Sequence, residues 1–390
     1  MPTPPQAPPP GKREPIFLGG DLYRQSGFRA NHPLAIPRIA AVLDLCAALA
    51  WLPPRQHREC PQASVDQLCE FHDPGYVEAL QRADRSGRVE IADRERYAIG
   101  TMENPVSPGL FERAASAVGG SILAADLALR GHLVFHPAGG MHHGRPARAS
   151  GFCFFNDPVF TLRRLAQHGL TRIAYVDLDA HHCDGVQDAV RADPRMHTLS
   201  IHEAGRWPYT GAATDRGGGR SVNLPVPAGF NDSELALLMA TVVAPWLAQL
   251  RPQAVVITCG TDALAGDPLS TMKLSNGALW EAVMQVVASA PAAVVLGGGG
   301  YNPWTLARCW TGLWGRLSGR AVPMDLPGPA MDLLRVLQCD LIEDDEIDPA
   351  WLSTLADAPR PGPVREDVRK LAQTMCPPPS SIAFAQGSRS

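Results

Sequence analysis

Acids and imidazoles follow an apolar run in residues 173–187, IAYVDLDAHHCDGVQ. Side chains alternate between the two faces of an extended chain, so Asp177, Asp179 and His181 can point the same way from the end of one strand. Without a cation between them, such groups would repel one another or remain protonated. The spacing therefore predicts a metal site at the carboxyl end of this strand.

Asp267 supplies a third ligand in this interpretation, within the segment GTDALAGDP. Two carboxylates and one imidazole, from Asp179, His181 and Asp267, leave room for water, as in hydrolytic zinc centres. Zinc is the first choice, although the same donors would hold Fe(II), Co(II) or Mn(II). Taken alone, an Asp before proline is more often a turn residue than a ligand.

His142 and His143 form a second cluster in the glycine-rich segment HPAGGMHHG. Adjacent histidines are usually a surface pair, but here Asp177 and Asp184 are available to hold the two imidazoles as His–Asp pairs. Such a pair orients the ring and raises its basicity. That suits a base which activates water beside a metal and then protonates a leaving amine.

Tyr301 follows four glycines in GGGGYN. The glycines leave space for a substrate, and the phenol could donate a hydrogen bond to the oxyanion of a tetrahedral intermediate. A tyrosine that merely packs beside a flexible turn is an equally good interpretation of this segment alone.

The elements that would position these residues alternate between strand and helix. Short apolar runs predict strands at residues 133–136, 172–176, 197–201, 254–259 and 292–296. Helical patterns occupy residues 37–51, 73–83, 111–130, 158–168, 233–250 and 276–288. This order predicts a mainly parallel sheet with helices on both faces. Each polar segment follows a predicted strand, at the sheet edge where such folds bind ligands.

Composition narrows the choice of function. A net charge of −4 gives no basic footprint, which argues against a nucleic-acid partner. The apolar runs are predicted to be too short for a membrane span, and the proline-rich start lacks the apolar stretch of a signal peptide. Nine scattered cysteines, an odd number, predict free thiols and a cytoplasmic location.

One catalytic domain is predicted over residues 16–375. Residues 1–15 form a proline-rich leader and residues 376–390 a tail, both predicted to be disordered. A glycine pair inside the helix at residues 111–130, Gly119 and Gly120, predicts the close approach of another backbone.

Four motifs occur in one order, at residues 142–157 (HHGRPARASGFCFFND), 177–187 (DLDAHHCDGVQ), 260–269 (GTDALAGDPL) and 297–302 (GGGGYN). With them, residues 31–314 resemble the zinc-dependent histone deacetylases and their bacterial relatives, which include acetoin-utilisation-type proteins and acetylpolyamine amidohydrolases. The resemblance implies the arginase/deacetylase α/β fold. That fold is a single domain with a central eight-stranded parallel sheet flanked by helices.

The resemblance also implies roles for the residues at the site. One zinc ion would be bound by Asp179, His181 and Asp267, with Tyr301 polarising the acyl carbonyl. His143, paired with Asp184, would act as general base and then acid. His142, paired with Asp177, would supply electrostatic support.

Further contacts follow from the same resemblance. An acyl-lysine tunnel would be lined by Gly151, Phe152 and Trp207. A structural monovalent cation, K⁺, would be held by Asp177, Asp179, His181, Ser200 and Ile201. Cys183 stands where the family usually has glycine, which adds strain if that position needs a positive φ. Its thiol is a hypothetical oxidation point, although a buried inert cysteine is the better interpretation.

The substrate is predicted from the entrance. Glu103 in TMENP lies where the family carries a rim acid that grips a peptide backbone. A polyamine-specific relative would carry an extra acid at the position of Leu274 or a long insertion after the rim, but only 38 residues separate Glu103 from His142. Both features favour acylated lysine in peptides or proteins as the substrate.

Three alternatives stay open at this point. The first is an amidohydrolase acting on acetylpolyamines or other small acyl amines. The second is an arginase-like binuclear hydrolase, which would need more metal ligands and has no use for Tyr301. The third is a non-catalytic acyl-lysine binder. The residues leave the acyl chain, the native substrate and the oligomeric state open.

Overall fold

The protein, as a computed structural model, is described over residues 13–24 and 32–376. Its strands are β1 Pro15–Gly19, β2 His57–Glu59, β3 Leu133–His136, β4 Ile173–Asp177, β5 Met196–Glu203, β6 Ser221–Val226, β7 Ala254–Thr258 and β8 Ala292–Leu296. They form one eight-stranded sheet in the order β2-β1-β3-β8-β7-β4-β5-β6. All neighbouring strands are parallel, so the predicted sheet is confirmed.

Helices cover both faces of this sheet. They are α1 Arg38–Ala48, α2 Val65–Leu68, α3 Pro74–Ser86, α4 Ile91–Tyr97, α5 Leu110–Leu129, α6 Asp157–Gln167, α7 Asp184–Val190, α8 Asp232–Leu238, α9 Ala244–Leu250, α10 Asn276–Ala288, α11 Pro303–Leu317, α12 Gly328–Arg335 and α13 Glu366–Met375. Short 3₁₀ turns and one π turn, Met239–Val243, complete the described structure.

Alternation along the strands gives the sheet two buried faces. In β4, Val176 packs with α10 and α11 on one face, whereas Tyr175 packs with α5 and α6 on the other. Ile257 and Val256 of β7 divide in the same way. Strands buried on both faces must be apolar throughout, which explains why the central strands stand out in the sequence.

The prediction of a close backbone approach at the glycine pair is confirmed. A Cβ atom built on Gly119 would lie 2.0 Å from the carbonyl oxygen of Pro61 and 2.8 Å from the nitrogen of Ala63. Ala63 also donates its N–H to the Ala115 carbonyl of α5. The glycines therefore let the chain before α2 lie directly on α5.

The ends of the domain agree only partly with prediction. Residues 1–12 of the predicted leader, residues 1–15, lie outside the described residues, but Pro15 already belongs to β1. Helix α13 ends at Met375, and residues 377–390 of the predicted tail also lie outside the described part of the chain. Helices α12 and α13 occupy a region where the sequence indicates little structure.

The membrane prediction needs a correction. Residues Asp232–Leu250 form one helical segment of 19 residues with a mean hydropathy of 1.4, long and apolar enough on those grounds to cross a membrane. In this fold the segment packs its apolar face, which includes Leu235, Leu238 and Val242, into the core beside the sheet. In this fold the segment therefore lies against the core along one face.

Candidate active site

Five strand ends bring the polar segments together at one edge of the sheet. Strand β4 ends at Asp177, and the chain from there to α7 carries Asp179 and His181. The segments that follow β3, β5, β7 and β8 carry His143, Trp207, Asp262 and Tyr301, respectively. Because the strands are parallel, all these carboxyl ends meet at the same edge.

The candidate metal centre consists of Asp179, His181 and Asp262, whose ligand atoms lie within 4.8 Å of one another. His181 Nδ1 lies 3.2 Å from Asp179 Oδ1 and 2.9 Å from Asp262 Oδ2. All three residues are buried. Two carboxylates and an imidazole, buried together, are a donor set that suits a divalent transition metal.

The predicted ligand Asp267 is not part of this group. Its Oδ2 accepts the main-chain N–H of Tyr301 at 2.7 Å, and its Oδ1 accepts that of Leu269 at 2.9 Å. Both carboxylate oxygens are therefore committed to backbone groups. Asp262 takes the predicted place: it lies in a 3₁₀ turn, Thr261–Ala263, four residues past the end of β7 and nearer the sheet edge than Asp267.

The electrostatics of the group fit a cation. Burial alone would lower the pKa of His181, yet its hydrogen bonds to Asp179 and Asp262 raise that pKa to about 10. Burial and the nearby Asp179 raise the pKa of Asp262. A raised pKa of His181 means that the surrounding carboxylates create a negative electrostatic potential. A divalent cation would be stabilised by the same potential.

Both predicted His–Asp pairs are present in the structure. His142 Nδ1 lies 2.7 Å from Asp177 Oδ2, and His143 Nδ1 lies 2.7 Å from Asp184 Oδ1. The two rings are adjacent, with their centroids 4.0 Å apart. Arg145 donates to the other oxygen of Asp184, so this carboxylate is fixed from two sides.

The two histidines have opposite electrostatic environments. Burial opposes a charge on His142, but Asp177 and Asp179 raise its pKa to about 9. Burial and the neighbouring His142 lower the pKa of His143 to about 3. Burial would raise the pKa of Asp184, but His143 and Arg145 lower it to about 2. Since ionised Asp184 only accepts, His143 carries its proton on Nδ1 and leaves Nε2 with a lone pair.

A pocket of about 1460 Å³ leads from the surface to this edge. Gly151, Phe152 and Trp207 line it, together with His143, His181 and Tyr301. The Trp207 ring lies 4.6 Å from that of His143, and the Phe152 ring 5.9 Å from that of Tyr301. The predicted tunnel residues thus surround the approach to the candidate metal centre.

The prediction for Leu274 is wrong. Leu274 is only 2% exposed and belongs to the hydrophobic core, where it bridges to Leu264. Leu269 lines the pocket instead. Asp262 and Leu269 each lie five positions before the predicted residue, Asp267 and Leu274, respectively. One five-residue displacement along residues 260–274 therefore accounts for both errors.

Glu103 lines the pocket and reaches its wall. Its Oε1 accepts the main-chain N–H of Gly151 at 2.7 Å. The neighbouring Asn104, which sequence reasoning missed, accepts the N–H of Phe152 at 3.0 Å. The segment TMENP is thus tied to the tunnel wall. In the sequence this segment lies directly before a proline-rich turn, a position that does not predict a contact with Gly151 and Phe152.

The residues of the predicted K⁺ site are close together and buried. Asp177 of β4 pairs in register with Ser200 of β5. Asp177 also accepts the N–H of Asp179 at 3.0 Å and the hydroxyl of Tyr175 at 2.6 Å. Ile201 follows Ser200 and is buried, and its side chain belongs to the core.

Cys183 introduces no backbone strain. Its φ is −74°, so the concern about a positive φ does not arise. The side chain is fully buried, and burial raises the pKa of its thiol well above the usual value. A buried, protonated thiol reacts slowly, which favours the inert cysteine.

Comparison with known proteins places the chain in a family. The histone deacetylase domain model matches residues 32–317. Histone deacetylase 8 of Xenopus tropicalis is 30% identical over 301 residues, which cover 75% of this chain and 81% of that protein. Acetoin utilization protein AcuC of Bacillus subtilis (strain 168) is 30% identical over 323 residues, covering 79% and 83%.

A solved structure agrees with the sequence matches. The crystal structure of an HDAC homolog from Aquifex aeolicus superposes with a TM-score of 0.87 at 36% identity, covering 94% of this chain and 100% of that one. The chain is therefore a hydrolase of the deacetylase type with an arginase/deacetylase fold. It belongs to the histone deacetylase family.

Proposed function

We propose that this protein is a zinc-dependent lysine deacylase, which hydrolyses the amide of Nε-acyl-lysine in peptides or proteins. One observation carries the proposal. Three groups of residues converge at the end of a single pocket: the His143–Asp184 pair, the metal-ligand group Asp179, His181 and Asp262, and Tyr301. Amide hydrolysis needs a base, a site for a Lewis acid and an oxyanion donor, and this arrangement has a residue for each.

The metal is assigned by the donor set. One zinc ion would be held by Asp179, His181 and Asp262. The two carboxylates give this site the negative potential that a cation needs. When bound, zinc supplies a Lewis acid for the carbonyl and lowers the pKa of water. Within the described residues this is the one group of three such ligands, which supports a mononuclear site over an arginase-like binuclear centre.

His143 moves the proton in this proposal. Its Nδ1–H is held by Asp184, so Nε2 faces the pocket as an acceptor. It takes a proton from the attacking water and delivers that proton to the departing lysine amine, so protons balance over the cycle. His142, held by Asp177, supports the developing charge without entering the transfer.

Tyr301 is assigned to the oxyanion. Its side chain lines the pocket with His143 and His181, and burial is the main cause that raises the pKa of its phenol well above the usual value. The hydroxyl therefore stays protonated and able to donate. A donor of this kind stabilises charge that develops on the acyl oxygen in the transition state.

The entrance supports acyl-lysine over an acylpolyamine. Leu269 lines the pocket, and it is apolar like the incorrectly chosen Leu274. No attraction for a distant ammonium comes from that position. The rings of Phe152 and Trp207 both line the pocket and suit an apolar methylene stem, which acyl-lysine and acylpolyamines share.

Two further assignments rest on weaker support and are part of the proposal. We place a structural K⁺ at Asp177, Asp179, His181, Ser200 and Ile201. Asp177 is a buried carboxylate there, and a cation would help to neutralise it. We place the protein in the cytoplasm because the eight cysteines from Cys46 to Cys339 form no disulfide.

The test compares two substrates. We expect kcat/KM for an acetyl-lysine peptide to exceed that for N-acetylputrescine, and SAHA to inhibit turnover of the peptide. SAHA is chosen because an HDAC homolog with a TM-score of 0.87 to this chain has been solved in complex with it. Faster turnover of the polyamine would overturn the lysine assignment. Two tightly bound metal ions per chain would overturn the mononuclear mechanism.

A further inference from the structure

Asp267 joins two segments of the site without belonging to the metal-ligand group. It is only 6% exposed. Its carboxylate accepts one main-chain N–H from Leu269 in its own turn and one from Tyr301 in the segment after β8. A buried carboxylate that accepts two N–H groups is held firmly, because breaking either hydrogen bond leaves a buried N–H group without a partner.

The segment that carries Tyr301 needs external support. Residues 297–300 are all glycine, and Gly298 and Gly300 have φ values of +125° and +136°. Glycine has the largest backbone freedom of any residue, so this segment has little intrinsic rigidity. The Gly297 and Gly299 carbonyls accept the N–H groups of Cys259 and Thr261. Gly299 donates its own N–H to Asp179 at 2.6 Å, and Tyr301 donates its N–H to Asp267 at 2.7 Å.

The turn that carries Asp267 is itself supported from behind. Asn302 donates its side-chain amide to the Gly266 carbonyl at 2.9 Å. Trp351, from the C-terminal part of the chain, packs so closely that a Cβ atom on Gly266 would lie 2.7 Å from its ring. Trp351 in turn stacks on Trp304 of α11, with ring centroids 6.4 Å apart. Asp267 therefore lies on a rigid support.

We propose that Asp267 is a positioning residue for Tyr301: its carboxylate fixes the backbone from which the phenol reaches the substrate. This inference rests on the proposed oxyanion role of Tyr301. Asp267 touches neither the substrate nor the metal ligands in this role. Its removal changes turnover through the position of Tyr301, while metal binding and substrate affinity persist.

The first test is Asp267→Asn. Asparagine has nearly the same shape but replaces one acceptor oxygen with an N–H₂ donor, so one of the two main-chain N–H groups loses its partner. We expect kcat to fall on the order of 10- to 100-fold, the loss typical of a misplaced catalytic group. Zinc content and KM should stay within about twofold, since neither depends on Tyr301 in this proposal.

A double-mutant cycle with Tyr301→Phe separates positioning from a general structural effect. If Asp267 acts through the phenol, Asp267→Asn should lower kcat in the native background and cause no further loss in the Tyr301→Phe background. An equal fold loss in both backgrounds would overturn the inference, as would loss of zinc from Asp267→Asn. If Asp267→Asn does not fold, Asp267→Ser enters the same cycle, because its hydroxyl still accepts one hydrogen bond.

The matched control is Asp232→Asn. Asp232 also joins separate segments, since it accepts the main-chain N–H of Ser275 at 2.8 Å and that of Arg360 at 2.7 Å. It does not line the pocket. We expect this variant to lose stability and keep kcat, and an equal loss of kcat would overturn the inference. If Tyr301→Phe alone keeps full turnover, the proposed oxyanion role of Tyr301 is wrong. If Tyr301→Phe loses turnover but the two substitutions have additive effects on kcat, only the positioning role of Asp267 is wrong.

Discussion

Metal binding should depend on Asp262 and not on Asp267. Asp262 lies in the ligand group, whereas both oxygens of Asp267 accept backbone N–H groups. We expect Asp262→Asn to weaken zinc binding by more than the roughly 10- to 100-fold that residues behind the ligands contribute. Competition with a zinc chelator measures the affinity of each variant. Asp267→Asn is the control. If Asp267→Asn lost zinc while Asp262→Asn bound it normally, Asp267 would be the ligand and this assignment would be wrong.

The residues at the site divide into those that spacing predicts and those that it does not. Asp179 and His181 were predictable because they alternate directly after a strand. Asp262 lies four residues past the end of β7, inside a 3₁₀ turn, so strand alternation alone does not distinguish it from Asp267. The contacts of Asp267 join it to Tyr301, 34 positions away, and no local pattern indicates such a contact.

Among the elements, the segment with Glu103 and Asn104 supports the tunnel wall. Gly151 and Phe152 have φ values of +55° and +64°, a conformation that is costly for phenylalanine. Their N–H groups are bound by the side chains of Glu103 and Asn104. The wall therefore keeps an unfavourable backbone conformation because another segment holds it.

Asn104→Ala should loosen that wall. Asn104 is fully buried, and its loss leaves the N–H of Phe152 without its partner. We expect the free energy of unfolding to fall by about 1–3 kcal/mol and KM for the peptide to rise. Urea denaturation and steady-state kinetics measure the two effects. Asn276→Ala is the matched control: it removes an equally buried acceptor, that of the Asp357 N–H, away from the pocket, and it should lower stability but keep KM. Unchanged KM in Asn104→Ala would contradict a role in the tunnel.

The C-terminal elements are fixed by a buried ion pair. Arg308 of α11 is fully buried and donates to Asp357 Oδ1 at 2.7 Å. It also donates to the Thr354 carbonyl at 2.6 Å. Removing one partner leaves a charge without compensation in the interior, so Asp357→Ala should cost about 3–5 kcal/mol of folding free energy.

The control for Asp357→Ala is a surface pair in the same part of the chain. Asp332 and Arg335 of α12 are 3.0 Å apart, with side chains 71% and 55% exposed. Water and salt screen such a pair, so Asp332→Ala should leave the urea midpoint almost unchanged. Equal destabilisation by the two variants would show that burial of the Arg308 pair has no special weight.

The strands missed by sequence are the two edge strands, β2 and β6, and the interior strand β1 beside β2. Strand β2 at one edge is only His57–Glu59, and β6 at the other carries Pro225. Strand β1 is apolar and lies between β2 and β3, and it was missed because it begins with a proline at the end of the predicted leader. Edge strands face water on one side and tolerate proline, so they lack the apolar runs that identify central strands. Their existence depends on pairing with distant residues.

For the whole molecule, buried neutral histidines should make stability depend on acid. His72, His136 and His202 lie outside the metal-ligand group. Burial lowers the pKa of His72 and of His136 to about 4, and that of His202 to about 3. In His72, Nδ1 lies 3.1 Å from the Arg145 carbonyl oxygen and Nε2 accepts the N–H of Asn156 at 3.1 Å. If Nε2 of His72 were protonated, its N–H would face the N–H of Asn156, and the two donors would repel each other.

The direction of the effect follows from proton binding. Each of these histidines has an unfolded pKa of 6.5 and a lower folded one, so the unfolded chain binds more protons below pH 6.5. Their contribution to stability is present above pH 6.5 and is lost as pH falls towards the folded values. Each unit of pKa difference is worth about 1.4 kcal/mol, so the summed loss should reach several kcal/mol by about pH 4.

Urea unfolding at pH 7 and pH 5 measures this loss. We expect a clearly lower midpoint at pH 5 and a smaller pH dependence in His136→Gln, which removes one titrating group whose ring contacts the Ala117 carbonyl at 3.1 Å. Val134→Ala in the same strand is the control, because it removes buried apolar contacts but no titrating group, so the difference between the two midpoints should stay unchanged. Equal midpoints at the two pH values would mean that these interior histidines already bind protons in the folded state, and their burial would then impose no cost.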